Sequence, residues 1–197
     1  MIKLNLGCGW RDFGKDWIHI DKGKYPHVTS HDITRLLFFD DNSVDLIYAS
    51  HVFEYFDREE GFNVLKEWFR VLKEWGILRI AVPDFEQMAK LYTEKKFPLQ
   101  NILGPLYGKM KIQKEEEDNL EFIYHKTTYD FNNLNELLRQ VGFKDIRKYD
   151  WKTTPPHNEI DDHSQSYLPS KEFTSTPENQ FDKENGYLIS LNLEAIK

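Results

Sequence analysis

The chain has 197 residues, enough to bury a proper core as one domain. It carries 33 acidic against 26 basic side chains, a net charge of −7, and no basic stripe; this argues against a nucleic-acid partner, whose binding depends on neutralising phosphate. One cysteine, Cys8, leaves no intrachain disulfide and points to a reducing compartment, and no apolar run approaches the ~18 residues of a membrane helix, so a soluble, cytoplasmic protein without membrane insertion is expected.

Strands are predicted at Ile2–Leu6, Trp17–Ile20, Val28–His31, Val44–Ala49 and Gly76–Val82. Phe62, Leu65, Phe69 and Leu72 recur at helical spacing and predict a helix over Phe62–Lys73, with Gly76 ending the turn after it. Pro83-Asp84 stops the fifth strand, and an amphipathic helix follows at Phe85–Lys95. Pro98–Asn119 reads as irregular, with the charged run Lys114-Glu115-Glu116-Glu117-Asp118 at a solvated tip. A helix at Asn132–Val141 ends at Gly142, a strand covers Lys144–Trp151, and a last strand covers Tyr187–Ile196. The expected organisation is a single domain over residues 1–197, with an inserted lid-like segment at about 98–126 and a long loop at about 152–186.

The first strand runs directly into Gly7-Cys8-Gly9. Two glycines one residue apart let backbone approach a ligand where a Cβ would clash. Acids then stand at the ends of the next two strands, Asp21 and Asp32. Loop, acid, acid in that order describes the nucleoside-binding edge of an open α/β sheet. A dinucleotide fingerprint would need a third glycine where this chain has Asp12, whose carboxylate would face the pyrophosphate, and a P-loop pattern is absent. S-adenosylmethionine has no phosphate; it needs only close backbone approach and a carboxylate for its ribose.

Leu4-Asn5-Leu6-Gly7-Cys8-Gly9 resembles the first motif of class I S-adenosylmethionine-dependent methyltransferases. The segment from Val44 to Tyr55 resembles the family's fourth-strand motif, and the one from Arg70 to Ile80 resembles the helix–turn–strand that follows. The resemblance spans roughly residues 1–150. It implies a doubly wound, Rossmann-like, mostly parallel seven-stranded sheet whose last strand is antiparallel. It also implies S-adenosylmethionine as cofactor, held by Asn5, Gly7, Cys8, Gly9, Asp21 (ribose), the pair Asp32-Ile33 (adenine) and Ser50. The third glycine is missing near Trp10-Arg11, and Gly9 to Asp21 is too short for a full crossover helix, so the first helix should be reduced. A subset of short bacterial methyltransferases, often linked to surface-polysaccharide synthesis, shares this opening, and this chain looks like that subset.

Methyl transfer needs an acceptor held on the axis of attack and a route for its proton. His125, between the lid-like segment and the helix at Asn132, is the favoured acid/base candidate; His51, at the carboxyl end of the fourth strand, is the alternative. Glu54 would favour a helix N-terminus or neutralise substrate. Cys8 fills the glycine turn rather than acting as a nucleophile. Asp161-Asp162-His163 is not read as a metal site, because adjacent residues rarely converge on one ion. Ala49-Ser50-His51-Val52 stands where a DNA-base methylase would carry an Asn/Asp-Pro-Pro-Tyr-like loop. The reading is a methyltransferase for a small or sugar-linked acceptor, at oxygen. Its rivals are a non-catalytic cofactor-binding partner subunit and a decarboxylating or spermidine-type use of the fold.

Overall fold

A computed structural model describes residues 1–113, 120–160, 162–170 and 183–197. In chain order the elements are β1 (Lys3–Leu6), β2 (Ile18–Asp21), β3 (Val28–Ser30), β4 (Val44–Ser50), α1 (Arg58–Val71) and β5 (Leu72–Pro83). Then come α2 (Phe85–Thr93), α3 (Leu99–Tyr107), β6 (Met110–Gln113), β7 (Leu120–Ile123), α4 (Phe131–Val141) and β8 (Lys144–Lys148), and finally β9 (Tyr167–Leu168), β10 (Tyr187–Leu188) and β11 (Ser190–Ile196).

Seven strands form one sheet in the order β3-β2-β1-β4-β5-β11-β8. The pairs among β1 to β5 are parallel, and β11 runs antiparallel to both β5 and β8. This is the Rossmann-like sheet the sequence predicts. The reduced first helix is reduced to nothing: residues 7–17 are turns and coil. Backbone bonds close the crossover instead, with Gly7 N–H donating to Ile20 O (2.8 Å) and Phe13 N–H to the buried His19 Nε2 (2.8 Å).

Strand alternation divides the sheet into two unlike faces. Leu4, Leu6, Ile47, Ala49, Leu78, Ile80, Val82, Leu191 and Leu193 pack under Val64, Leu65 and Trp68 of α1 and Leu134 and Leu138 of α4. Asp57 starts α1 with a reciprocal capping box to Glu60, so the helix begins four residues before the predicted Phe62. Coil covers part of the other face. Phe13 and Trp17 pack on Leu46 and Tyr48, with Ile160 against them. The strand residues there are largely polar yet buried: Asn5, His19, Ser190, Asn192 and Glu194.

Three elements differ from expectation. Pro98–Asn119 is not wholly irregular: α3 runs through Gly104 and Pro105, and Met110–Gln113 pairs with Leu120–Ile123 as a hairpin, the charged run between them lying outside the described residues. Apolar Leu99, Ile102 and Leu106 do recur at helical spacing, but the Gly-Pro pair masks the pattern. Tyr187–Ile196 is two strands: Tyr187–Leu188 pairs with Tyr167–Leu168 in a separate ribbon, and only Ser190–Ile196 enters the main sheet. The loop at 152–186 holds a short helical turn, His163–Gln165, as well as β9; residues 161 and 171–182 lie outside the described residues.

Candidate active site

The glycine turn leaves β1 at the carboxyl edge of the sheet. Gly7 and Gly9 both have positive φ, +66° and +56°. Their reasons for being glycine differ. A Cβ on Gly7 would sit 2.7 Å from Val52 Cβ, a distance that real Cβ atoms do not adopt. A Cβ on Gly9 would point into open space. Gly7 is therefore small because the turn after β4 packs on it, whereas the side of Gly9 that a Cβ would occupy is open. Asp21, at the end of β2, ties the turn in place: Oδ2 accepts from Gly9 N–H (2.8 Å) and Oδ1 from Gly23 N–H (2.6 Å). Each carboxylate oxygen keeps a second lone pair for a hydroxyl. Cys8 is buried; burial, reinforced by the Asp21 charge, pushes its thiol up to about 12. It stays protonated at neutral pH and inert.

Behind the turn, Asn5 is 3% exposed and its Nδ2 has no protein partner; the Ser50 hydroxyl at the end of β4 faces the buried Tyr48 phenol. Asp32 lies just past β3. Burial raises its pKa, but the Thr34 hydrogen bonds and the nearby Lys22 outweigh this and hold the carboxyl below its usual range. Ile33 points into the main core and its carbonyl accepts from Trp68 Nε1 (2.9 Å), so its side chain touches no ligand at this edge and only its N–H is available. Of the aromatics near these motifs, Trp17, Tyr48 and Phe53 are core, whereas Trp10, beside Gly9, is exposed.

The structure brings both candidate histidines to one carboxyl group. Glu54 is fully buried. His51 Nδ1 lies 3.5 Å from Glu54 Oε1, and His125 Nε2 lies 3.7 Å from the same oxygen. Glu54 does not serve a helix N-terminus; Asp57 caps α1, and Glu54 sits in the short turn Phe53–Tyr55 before it. Its carbonyl accepts from Lys126 and Thr127 N–H (2.9 and 3.2 Å), which draws the 125–127 segment onto the β4 turn.

Both imidazoles are fixed from behind. His125 Nδ1 lies 3.0 Å from Pro105 O, a pure acceptor, so Nδ1 carries the proton and Nε2 turns its lone pair to Glu54. Gly108, φ +55°, packs flat on that ring; a Cβ there would overlap His125 Nε2 and Cδ2. Ser190 Oγ donates to Asn192 Oδ1 (2.8 Å) and so accepts from His51 Nε2 (3.0 Å), leaving His51 Nδ1 as an acceptor facing Glu54. Burial lowers the pKa of both histidines, His51 strongly, with His163 and His125 adding to the fall at His51. Burial likewise pushes Glu54 up to about 8. At neutral pH the cluster is a protonated carboxyl between two neutral imidazoles.

Asp162, from the segment not read as a metal site, has a structural role. Its Oδ1 accepts from Ser164 N–H (2.7 Å), its Oδ2 faces His157 Nδ1 (3.3 Å), and Ser164 O accepts from Asn192 Nδ2 (2.9 Å). Asp161 lies outside the described residues. The sequence reading missed the centrality of Glu54. Its signal was the three-residue spacing from His51; the other half, His125, comes from far along the chain.

Comparison with known proteins bears on the fold. Residues 12–80 match a family model described as a methyltransferase domain. That segment contains Asp21, Asp32, Ser50, His51 and Glu54. No curated protein sequence matches the chain significantly. Among solved structures, a SAM-dependent methyltransferase from Archaeoglobus fulgidus superimposes with a TM-score of 0.57 at 16% identity, covering 99% of this chain and 85% of that one. One from Methanosarcina mazei gives 0.53 at 19% identity, covering 99% and 91%. The 1,6-didemethyltoxoflavin-N1-methyltransferase of Burkholderia thailandensis, solved with its substrate and S-adenosylhomocysteine, gives 0.53 at 12% identity, covering 100% and 70%. Among the described residues no helix is long and apolar enough to cross a membrane. The chain thus has the fold of S-adenosylmethionine-dependent methyltransferases, and residues 12–80 of it match the model of a methyltransferase domain.

Proposed function

We propose that this protein binds S-adenosylmethionine at the Gly7–Gly9 turn and methylates a small or sugar-linked acceptor at oxygen. One observation carries the reading. The open Cβ direction of Gly9, the Asp21 carboxylate bonded to that glycine, and the unpartnered Asn5 amide lie along one part of the sheet, as the polar groups of a nucleoside site must. Asp21 holds the ribose hydroxyls; the Asp32 carboxylate and Ile33 N–H face the adenine; Asn5, Cys8 and Ser50 frame the rest. The cofactor, when bound, supplies an electrophilic methyl group on a cationic sulfur.

The chain's own residues do the remainder. His51 adjoins the glycine turn through Val52 and receives the acceptor proton, while His125, packed on Gly108, fixes the far side of Glu54. Segment 98–126, comprising α3 and the β6–β7 hairpin, and the coil at 155–170 frame the acceptor side. Exposed Trp10, Tyr107 and Tyr124 offer ring faces of the kind that pack on a sugar. The polysaccharide setting of this proposal rests on the resemblance of the short Gly9–Asp21 opening, and its cytoplasmic setting on the single cysteine. Incubation with methyl-labelled cofactor and a panel of sugars and hydroxylated small molecules tests the reading. Transfer to a hydroxyl oxygen is the expected result; tight cofactor binding with no transfer to any acceptor favours the non-catalytic partner subunit.

A further inference from the structure

We propose that Glu54 is the counter-charge of the bound sulfonium: the carboxyl between His51 and His125 gives up its proton when the cationic cofactor occupies the glycine turn and keeps it when the neutral thioether product does. The inference rests on the cofactor reading above and deepens it.

The geometry is unusual for a glutamate. Glu54 is fully buried; burial outweighs the pull of its own backbone N–H, and the side-chain nitrogens facing its carboxyl are two ring nitrogens, at 3.5 and 3.7 Å. Both nitrogens present lone pairs, because Pro105 O and Ser190 Oγ take the opposite N–H of each ring. Acceptors facing a carboxyl oxygen favour its protonated form. The other titratable groups facing Glu54 are the Tyr55 and Tyr129 phenols, each raised first by burial and then by the Glu54 charge. Beyond His51 stand His163 and Arg11. Nothing nearest the carboxyl is a cation, and burial keeps it neutral to about pH 8.

The β4 turn that carries Glu54 packs on the cofactor turn through Val52 and Gly7. On this proposal a cation bound beside that turn is the missing partner. An opposite charge brought within ~4–6 Å lowers a carboxyl pKa by about 1–3, toward ionisation near neutrality. The proton goes to solvent: both imidazoles are buried and disfavour charge, and a neighbouring cation disfavours it further. The carboxylate so formed stands 3.5 Å from His51, where it can take up the proton that leaves the acceptor. The donor's positive charge disappears on methyl transfer, and the proton left by the acceptor returns the cluster to its neutral state.

The test needs no acceptor. The full chain is titrated by calorimetry at pH 7 with S-adenosylmethionine and, separately, with S-adenosylhomocysteine, in two buffers of different ionisation enthalpy. Burial holds Glu54 mostly protonated at that pH, so the methyl donor should release up to about one proton more than the product. Glu54→Gln should bind both compounds with the difference abolished. Infrared difference spectra of the unaltered protein provide a check independent of the variant's folding: a protonated-carboxyl band should disappear on adding the donor and not on adding the product. Equal proton release by the two compounds, or a difference that survives in Glu54→Gln, overturns the proposal alone. Failure of the unaltered protein to bind either compound overturns the cofactor reading and the proposal with it.

Discussion

The two glycines of the first turn make a discriminating pair, because their surroundings are opposite. In Gly7→Ala the new Cβ meets Val52 Cβ at 2.7 Å, at a φ of +66°. A left-handed L-residue costs roughly 1–2 kcal/mol, and overpacking adds about 1–3, so a loss of about 2–5 kcal/mol is expected. In Gly9→Ala the φ of +56° carries the same backbone cost, but the Cβ points into open space. Its loss should stay near 1–2 kcal/mol. At roughly 2–4 °C per kcal/mol for a chain of this size, the two melting temperatures should differ by several degrees. Cofactor affinity should show a different pattern. Gly9→Ala places a methyl group where backbone is offered to the ligand and should weaken S-adenosylmethionine binding at least tenfold while the protein stays folded. Adding Val52→Ala to Gly7→Ala should recover part of the lost stability, a coupling absent between Val52 and Gly9. Thermal melts and calorimetric titration read both quantities. Equal destabilisation by the two single variants would refute the packing argument. Unchanged affinity in Gly9→Ala would remove this turn from the cofactor site.

Asp21→Ala deletes an acceptor for Gly9 and Gly23 N–H and for the ribose; a charge-assisted hydrogen bond is worth ~1.5–3 kcal/mol, so calorimetry should show affinity falling about tenfold or more. His51→Gln should slow turnover by about 10²–10⁴, the range for a general base, with cofactor affinity nearly unchanged; parallel loss of both would make the residue a structural support. Hydrogen exchange should show protection in α3–β7 or in 155–170 when cofactor and acceptor are bound, and equal exchange with binding confirmed counts against a lid. Asp162 is raised by burial but lowered more by His157 and Ser164, so its folded pKa lies below the ordinary 3.8. A carboxyl depressed on folding stabilises above its unfolded pKa and loses that contribution as pH falls through the folded value; Asp162→Asn should therefore be clearly destabilised at pH 7 and much less so near pH 3, as measured by urea unfolding.

Much of this is visible in the sequence because it is periodic. Leu4 and Leu6, Ile47 and Ala49, and Leu78, Ile80 and Val82 alternate as half-sheets do, and Val64, Leu65, Trp68 and Val71 repeat as a helix face does, although the apolar repeat runs on to Leu72, which already belongs to β5. The acids after β2 and β3 could be placed because strand ends are marked by short loops. What escaped depends on partners distant in the chain. The break at Ile189 is not written in the apolar run Tyr187–Ile196. It arises because Ile189 N–H donates to Ser166 O (2.9 Å) while its carbonyl accepts from Asp84 N–H (2.8 Å), which hands the chain from one sheet to the other. Glu54 looked like a residue that favours a helix start because acids commonly stand there. Its burial beside His125 depends on a contact that joins the β4 turn to the far side of the α3 hairpin.

The second face of the sheet shows why such contacts stay hidden. In β11, Ser190, Asn192 and Glu194 alternate with apolar residues, a pattern that ordinarily means a strand with one side in water. All three are 6% exposed or less. With no helix in the first crossover, parts of that face are closed by coil, and coil brings unpaired backbone groups that need partners when buried. The strands supply them: Asn192 donates to Ser164 O, and Arg79, itself paired with Glu194, donates to Pro155 O (2.7 Å). Polar strand residues here are therefore a core adapted to an irregular cover. The same adaptation puts Ser190 behind His51, so the short Gly9–Asp21 crossover and the orientation of the imidazole facing Glu54 belong to one structural solution.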